Sequence, residues 1–171
     1  AAEDREFYNH GGISPIGIVR AAFNNLTGGS TQGGSTITQQ YAKIAFLTQD
    51  RTWKRKINEA LLAFKLETAI SKEQILQDYL NTIYFGRNAN GIEAAAVAYF
   101  NKSVNELDYT EGAVLASVIK SPSGLSPEEN LSGLKARWSY VLDSMLVLGD
   151  ITQAQRDAAS FPEIIPFKQK D

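Results

Sequence analysis

Leu131, Leu134, Trp138, Val141, Leu142, Met145 and Leu148 recur at intervals of one, three and four residues. That is the spacing of one face of an α-helix and is incompatible with the two-residue period of a half-buried strand. The pattern predicts a long amphipathic core helix, about five turns, closed by Gly149 at the C-cap. Shorter stretches repeat the same logic, with a cap residue ahead of each. Ser35 is placed to cap a helix from Thr36 to about Leu47, and Asp50 one from Arg51 to Ile70. Ser71 with Gln74 has capping-box spacing, as does Thr152 with Gln155, while Thr110 can cap Glu111 to Ile119. Ile92 to Phe100 is alanine-rich and reads as a tightly packed helix after a Gly/Asn turn over 84–91. No internal repeat and no convincing strand-period segment is present, so the expected class is all-α.

At 171 residues and 43% hydrophobic, the chain can build one core, or one core with a small satellite lobe. A formal charge of −2 gives no global attraction for nucleic acid, so an anion site must be built locally. Cysteine is absent, which removes disulfides, thiolate metal sites and thiol nucleophiles together. No apolar run reaches the roughly 20 residues of a membrane span, and the charges from Glu3 to Glu6 are not those of a signal peptide. Any anchor is expected outside this sequence.

Four stretches carry residues of chemical interest. Glu3-Asp4 is followed by Phe7, Tyr8 and the sole histidine, His10, a pattern open to both a charged lead-in and a carboxylate site. Ser14-Pro15 starts a nearly all-apolar helix through Leu26, readable as a core helix or as a lipid-facing one, in which Arg20 needs a partner or a phosphate. Thr27 to Thr36 holds four glycines ahead of a helix start, either a linker or a loop whose N–H groups approach an anion. From Arg51 to Ile70, Ile57, Leu61 and Phe64 mark an expected core stripe, with Ala60, Leu62 and Ala63 alongside. Arg51, Arg55 and Glu59 fall four apart on one side, with Lys54 and Lys56 near them. These cations fit a solvated face, or a site for a pyrophosphate-sized anion. The tail from Phe161 to Asp171, with two prolines, reads as an exit linker.

Five ordered motifs carry a resemblance. They are Glu3-Asp4 with Phe7, Tyr8, His10 and Gly12; Gly33-Gly34-Ser35-Thr36-Ile37-Thr38-Gln39-Gln40 with Ala42-Lys43; Arg55-Lys56 with Glu59, Ala63, Leu66 and Glu67; Ile75-Leu76 with Tyr79-Leu80-Asn81, Tyr84, Gly86, Gly91-Ile92-Glu93 and Tyr99-Phe100; and Arg137 with Val141-Leu142. In these the chain resembles the peptidoglycan glycosyltransferases of family 51, found alone or as the N-terminal module of class A penicillin-binding proteins. The resemblance spans Glu3 to about Leu148. It implies a lysozyme-like helical lobe with a small mobile jaw lobe over roughly 14–50, a domain over 1–160 and the linker over 161–171. It turns the glycine-rich loop into a jaw element and the apolar helix into a credible lipid-facing surface.

The implied reaction is polymerisation of lipid II, with the nascent glycan strand on an undecaprenyl pyrophosphate as donor. The acceptor is the 4-hydroxyl of N-acetylglucosamine on lipid II. The resemblance makes Glu3 the catalytic base and Glu59 the second essential glutamate, whose role stays open between orienting the phosphate-binding cations, supporting the donor sugar and binding a divalent ion, Mg or Mn. It assigns Lys43 and Arg51, with Arg55 and Lys56 close by, to the donor pyrophosphate. Ser35, Gln39 and Gln40 position substrate, Arg20 lies on the acceptor side, Arg137 braces the fold or the cleft rim and His10 is structural. It further implies the outer face of a bacterial cytoplasmic membrane, contacted through the jaw and a preceding anchor, inhibition by moenomycin, and room for a C-terminal transpeptidase domain. The competing reading is a lysozyme-like hydrolase or lytic transglycosylase, which has no use for the cation cluster.

Overall fold

The computed structural model describes residues 3–11, 35–46 and 53–167. Every regular element among them is helical, as expected; the one strand-like pairing is an isolated bridge between Tyr84 and Asn90. The helices are α1 (Ile37–Phe46), α2 (Trp53–Ala69), α3 (Lys72–Thr82), α4 (Ile92–Phe100), α5 (Tyr109–Val118), α6 (Pro127–Leu148) and α7 (Gln153–Ala158), with a 3-10 turn at Val104–Glu106. The expected helix from Ser14, the glycine-rich loop up to Gly34, and Arg20, Asp50 and Arg51 lie outside the described residues, as does most of the expected jaw. None of the described helices is long and apolar enough to cross a membrane.

The chain divides into two compact units, Glu3–Thr82 and Ile83 onward. In the first, α1 packs against both α2 and α3. Ile75 and Tyr79 of α3 and Ala42 of α1 are buried. Ser71 caps α3 as read, its Oγ accepting from the Gln74 N–H at 3.2 Å. The expected core stripe of α2 is a correction: Ile57, Leu61 and Phe64 are 60, 58 and 61% exposed. Buried instead are Glu59 and Ala63, with Arg55 and Glu67 half-buried on the same side. Positions 55, 59, 63 and 67 are four apart and form one row along the helix. A small residue between charged ones lets α1 approach closely, and polar groups on the neighbouring elements satisfy the charges that flank it.

In the second unit, α5 packs against α6, and Val114, Leu115, Val118, Leu134, Trp138, Val141 and Leu142 supply buried side chains. The cap of α5 is Asp108, not Thr110: its Oδ1 accepts from the N–H groups of Thr110 and Glu111. An aspartate one turn ahead of Glu111 completes a reciprocal capping box that Thr110 cannot make. Helix α6 starts earlier than its apolar pattern, capped by Ser126 with Pro127 at the first position, and bends at Asn130. There the Asn130 side chain accepts from the Gly133 N–H at 2.9 Å and restarts the helix. Gly149 ends it at φ 79°, a left-handed conformation that favours glycine. Residues 161–167, read as the start of a linker, are tied down. Phe161 packs edge-on against Trp138, the Ile165 N–H donates to the Tyr99 carbonyl at 2.9 Å, and Arg87 Nη1 donates to the Ile165 carbonyl at 2.9 Å.

Candidate active site

All the sequence-predicted site residues that are described lie in the first unit. Construction begins at the N-terminus of α1. Thr36 Oγ1 accepts from the Gln39 N–H and Gln39 Oε1 accepts from the Thr36 N–H, both at 3.1 Å, a reciprocal capping box. Thr36 is therefore the cap, where the sequence pointed to Ser35. Gln39, buried, has its side-chain oxygen committed to this box. Asp4 Oδ2 accepts a further orphan N–H of the same terminus, that of Ile37, at 3.3 Å. A carboxylate beside the positive end of a helix is also favoured by the helix dipole. His10 Nε2 lies 2.8 Å from Asp4 Oδ1, and His10 Nδ1 lies 2.5 Å from the Gly11 carbonyl. His10 thus braces the stretch that carries Glu3.

Release from capping gives Ser35 a different use. Lys56 Nζ donates to Ser35 Oγ at 2.6 Å and to Glu59 Oε2 at 2.9 Å, while Arg55 Nε stands 3.2 Å from Glu59 Oε1. Ser35, Arg55, Lys56 and Glu59 form one cluster in which two cations share one carboxylate. Glu59 is 2% exposed, whereas the Lys56 side chain is 46% exposed. The carboxylate is the buried anchor and the ammonium is its outward-reaching arm. A buried carboxylate held between fixed cations aims them without neutralising both, which suits a heavily charged anion.

Gln40 bridges two elements. Its Oε1 accepts from the Tyr79 hydroxyl at 3.1 Å and its Nε2 reaches the Ser35 carbonyl at 3.5 Å. Burial pushes the Tyr79 hydroxyl well above the usual tyrosine range, and the charge of Glu3 pushes it the same way. Glu3 therefore lies within electrostatic reach of Tyr79 on α3. Lys43 is exposed in the last turn of α1, with no ion pair among the described residues. Arg137, in the other unit, stacks 4.7 Å from the ring centroid of Tyr140 on the same helix.

Sequence reasoning assigned no role to Thr38, Glu67 and Lys72, which the fold joins. Glu67 Oε1 accepts from Thr38 Oγ1 at 2.5 Å and from Lys72 Nζ at 2.7 Å. The available signal was the row at 55, 59, 63 and 67, whose last member is a glutamate. Among the described residues, the donor set around Glu59 does not fit a divalent ion. Both its oxygens face cations, and among the described residues no group of three or more His, Cys, Asp or Glu could hold a metal.

An all-helical domain with a buried, cation-flanked glutamate and an acidic stretch docked on a helix N-terminus is a candidate transferase of a charged donor. Residues 1–146 match the family model described as Transglycosylase. The chain belongs to this family, the peptidoglycan glycosyltransferases indicated by its motifs. It is similar to penicillin-binding protein 1A of Mycolicibacterium smegmatis, at 49% identity over 97% of this chain and 22% of that protein. The protein of the same name from Mycobacterium tuberculosis is 48% identical over 97% of this chain and 21% of its own length. That from Rickettsia felis is 46% identical over 100% and 22%. A crystal structure of penicillin-binding protein 1A from Haemophilus influenzae aligns with 78% of this chain and 17% of its own, at 26% identity and a TM-score of 0.49. The chain thus spans about a fifth of the length of the relatives it matches.

Proposed function

We propose that this chain polymerises lipid II, transferring a lipid-pyrophosphate-linked glycan to the 4-hydroxyl of N-acetylglucosamine on lipid II with inversion at the anomeric carbon. The observation that carries the reading is the cluster of Arg55, Lys56 and Ser35 around buried Glu59. A departing pyrophosphate gains negative charge as its bond to carbon breaks, and prearranged cations stabilise that charge without reorganising.

In this reading Glu3 accepts the proton of the acceptor hydroxyl as its oxygen bonds to the donor's anomeric carbon. The carbon–oxygen bond to the pyrophosphate breaks, and its electron pair leaves on the pyrophosphate. Glu59 aims Arg55 and Lys56 at the donor phosphates, and Lys43 and Arg51 join them there. Gln40 sets the distance between Ser35 and α3, Gln39 holds the helix start on which these groups depend, and Arg20 is assigned by the family resemblance to acceptor binding.

The reaction belongs at the outer face of a bacterial cytoplasmic membrane, where the lipid tails of both substrates are held. The jaw and a preceding anchor contact that membrane, and a transpeptidase domain follows in a longer penicillin-binding protein. Incubation with lipid II, and separately with polymeric glycan, tests the chemistry. Growth of glycan chains from lipid II is expected; cleavage of polymer without growth would replace this reading with a lytic one.

A further inference from the structure

We propose that Glu67 and Lys72 are positioning residues for Glu3, acting through Phe7; this rests on the reading of Glu3 as the base. The stretch that carries Glu3 is a turn rather than a helix. Its turn is closed by the Phe7 N–H to the Asp4 carbonyl at 3.4 Å and the Asn9 N–H to the Glu6 carbonyl at 2.8 Å. Bonds within so short a turn do not by themselves hold a carboxylate to the sub-ångström tolerance that proton transfer in a transition state requires. Orientation also depends on what the stretch is docked on.

Two anchors are present. One is Asp4, on the N-terminus of α1 and on His10. The other is Phe7, which is 3% exposed and carries the Lys72 ammonium 4.4 Å from its ring centroid. Lys72 opens α3, where the helix dipole disfavours a cation. Glu67 offsets that cost: its Oε1 pairs with Lys72 and also accepts from Thr38, which is fully buried on α1. A side chain added at Gly11 would place its first carbon 3.9 Å from Glu67 Oε2, so the end of the stretch passes beside the other oxygen. One carboxylate on α2 therefore ties α1 to α3, and through Lys72 reaches Phe7, while Gly11 passes beside it. Among the described residues, Glu67 and Lys72 bond to Thr38, to each other and to the Phe7 ring rather than to Lys56 or Glu59, so the clamp acts on the base and leaves the pyrophosphate grip alone.

The test uses the full-length protein in detergent, with lipid II as substrate and moenomycin as a donor-site probe. Glu67→Gln and Lys72→Met are expected to lower kcat roughly ten- to hundred-fold, with KM for lipid II and Kd for moenomycin changed less than about twofold. Lys72→Arg, which keeps both the ion pair and the contact with the ring, is expected to retain most of the rate. A merely structural role would move kcat, KM and moenomycin affinity together, and that result would overturn the proposal, as would an unchanged kcat in both variants. If Glu67→Gln does not fold, Lys72→Met still decides, because it leaves the Glu67–Thr38 bond in place. Failure of the underlying reading is distinguishable. It would show as wild-type protein that extends no lipid II, or as Glu3→Gln with near-normal turnover, before any clamp variant is compared.

Discussion

Replacing Glu59 by glutamine keeps the shape of a side chain that is 2% exposed and removes its charge. The loss divides between two partners. Lys56 is 46% exposed, so its pair with Glu59 is well screened and contributes about 0.5 kcal/mol. Arg55 is 17% exposed and faces the carboxylate at 3.2 Å; losing that charge costs about 1–2 kcal/mol, below the figure for a fully buried pair. The sum is about 2 kcal/mol, and in a domain of this size that corresponds to a fall in Tm of roughly 4–8 °C. Calorimetry of the variant and the wild type at matched ionic strength gives the first reading, and lipid II polymerisation gives the second, expected to fall at least about tenfold as the cations lose their aim. A variant with wild-type Tm and turnover would refute the claim that this carboxylate orients Arg55 and Lys56. So would a Tm increase on adding Mg²⁺ that the wild type shows and the variant lacks, since that would make Glu59 a metal ligand.

Other expectations follow from burial and charge. Phe64→Ser on the exposed face of α2 should change unfolding free energy by no more than about 0.5 kcal/mol, whereas Ile75→Ala in the buried face of α3 should cost about 2–5 kcal/mol; equal costs in urea titrations would mean the buried face of α2 is misassigned. Burial raises the Asp108 carboxyl, but hydrogen bonds from Thr110 and the Glu111 N–H outweigh this and hold it below its usual value. A lowered folded value means that its stabilisation is present above about pH 3.8 and is lost as pH falls through the depressed value, so acid should erode the start of α5 there. Amide exchange at Thr110 and Glu111 that does not quicken below that pH would contradict it. Tyr99 is pushed up to about 12, chiefly by burial, against an opposing effect of Arg87. Its raised value makes stability full below about pH 10 and progressively lost as pH rises towards 12, so tyrosinate absorbance should lag until unfolding begins. Smooth titration of every tyrosine near pH 10 in the folded protein would count against its burial.

Helix existence was legible from the chain because it depends on spacing and caps, both local properties. Gly149, Ser71 and the Thr152–Gln155 box were readable for this reason, and so was the all-helical class. Five motifs also determined the family, since chemistry-bearing residues in a fixed order survive without any knowledge of packing. The tertiary structure decided which face of α2 is inside. Spacing put Ile57, Leu61 and Phe64 on one face, with Ala63 alongside, and Arg51, Arg55 and Glu59 on another, and transfer free energy alone favours burying the first; the structure buries Glu59 and Ala63 instead, in a row that runs on to Glu67. That row is buried because Ser35, Thr38 and Lys72 supply partners for its charges, and those partners are distant in sequence. The same cause moved the α1 cap from Ser35 to Thr36, leaving Ser35 for Lys56. A polar side chain's burial is set by whether its hydrogen bonds are met, and that is a property of the assembled helices rather than of any one stretch of chain.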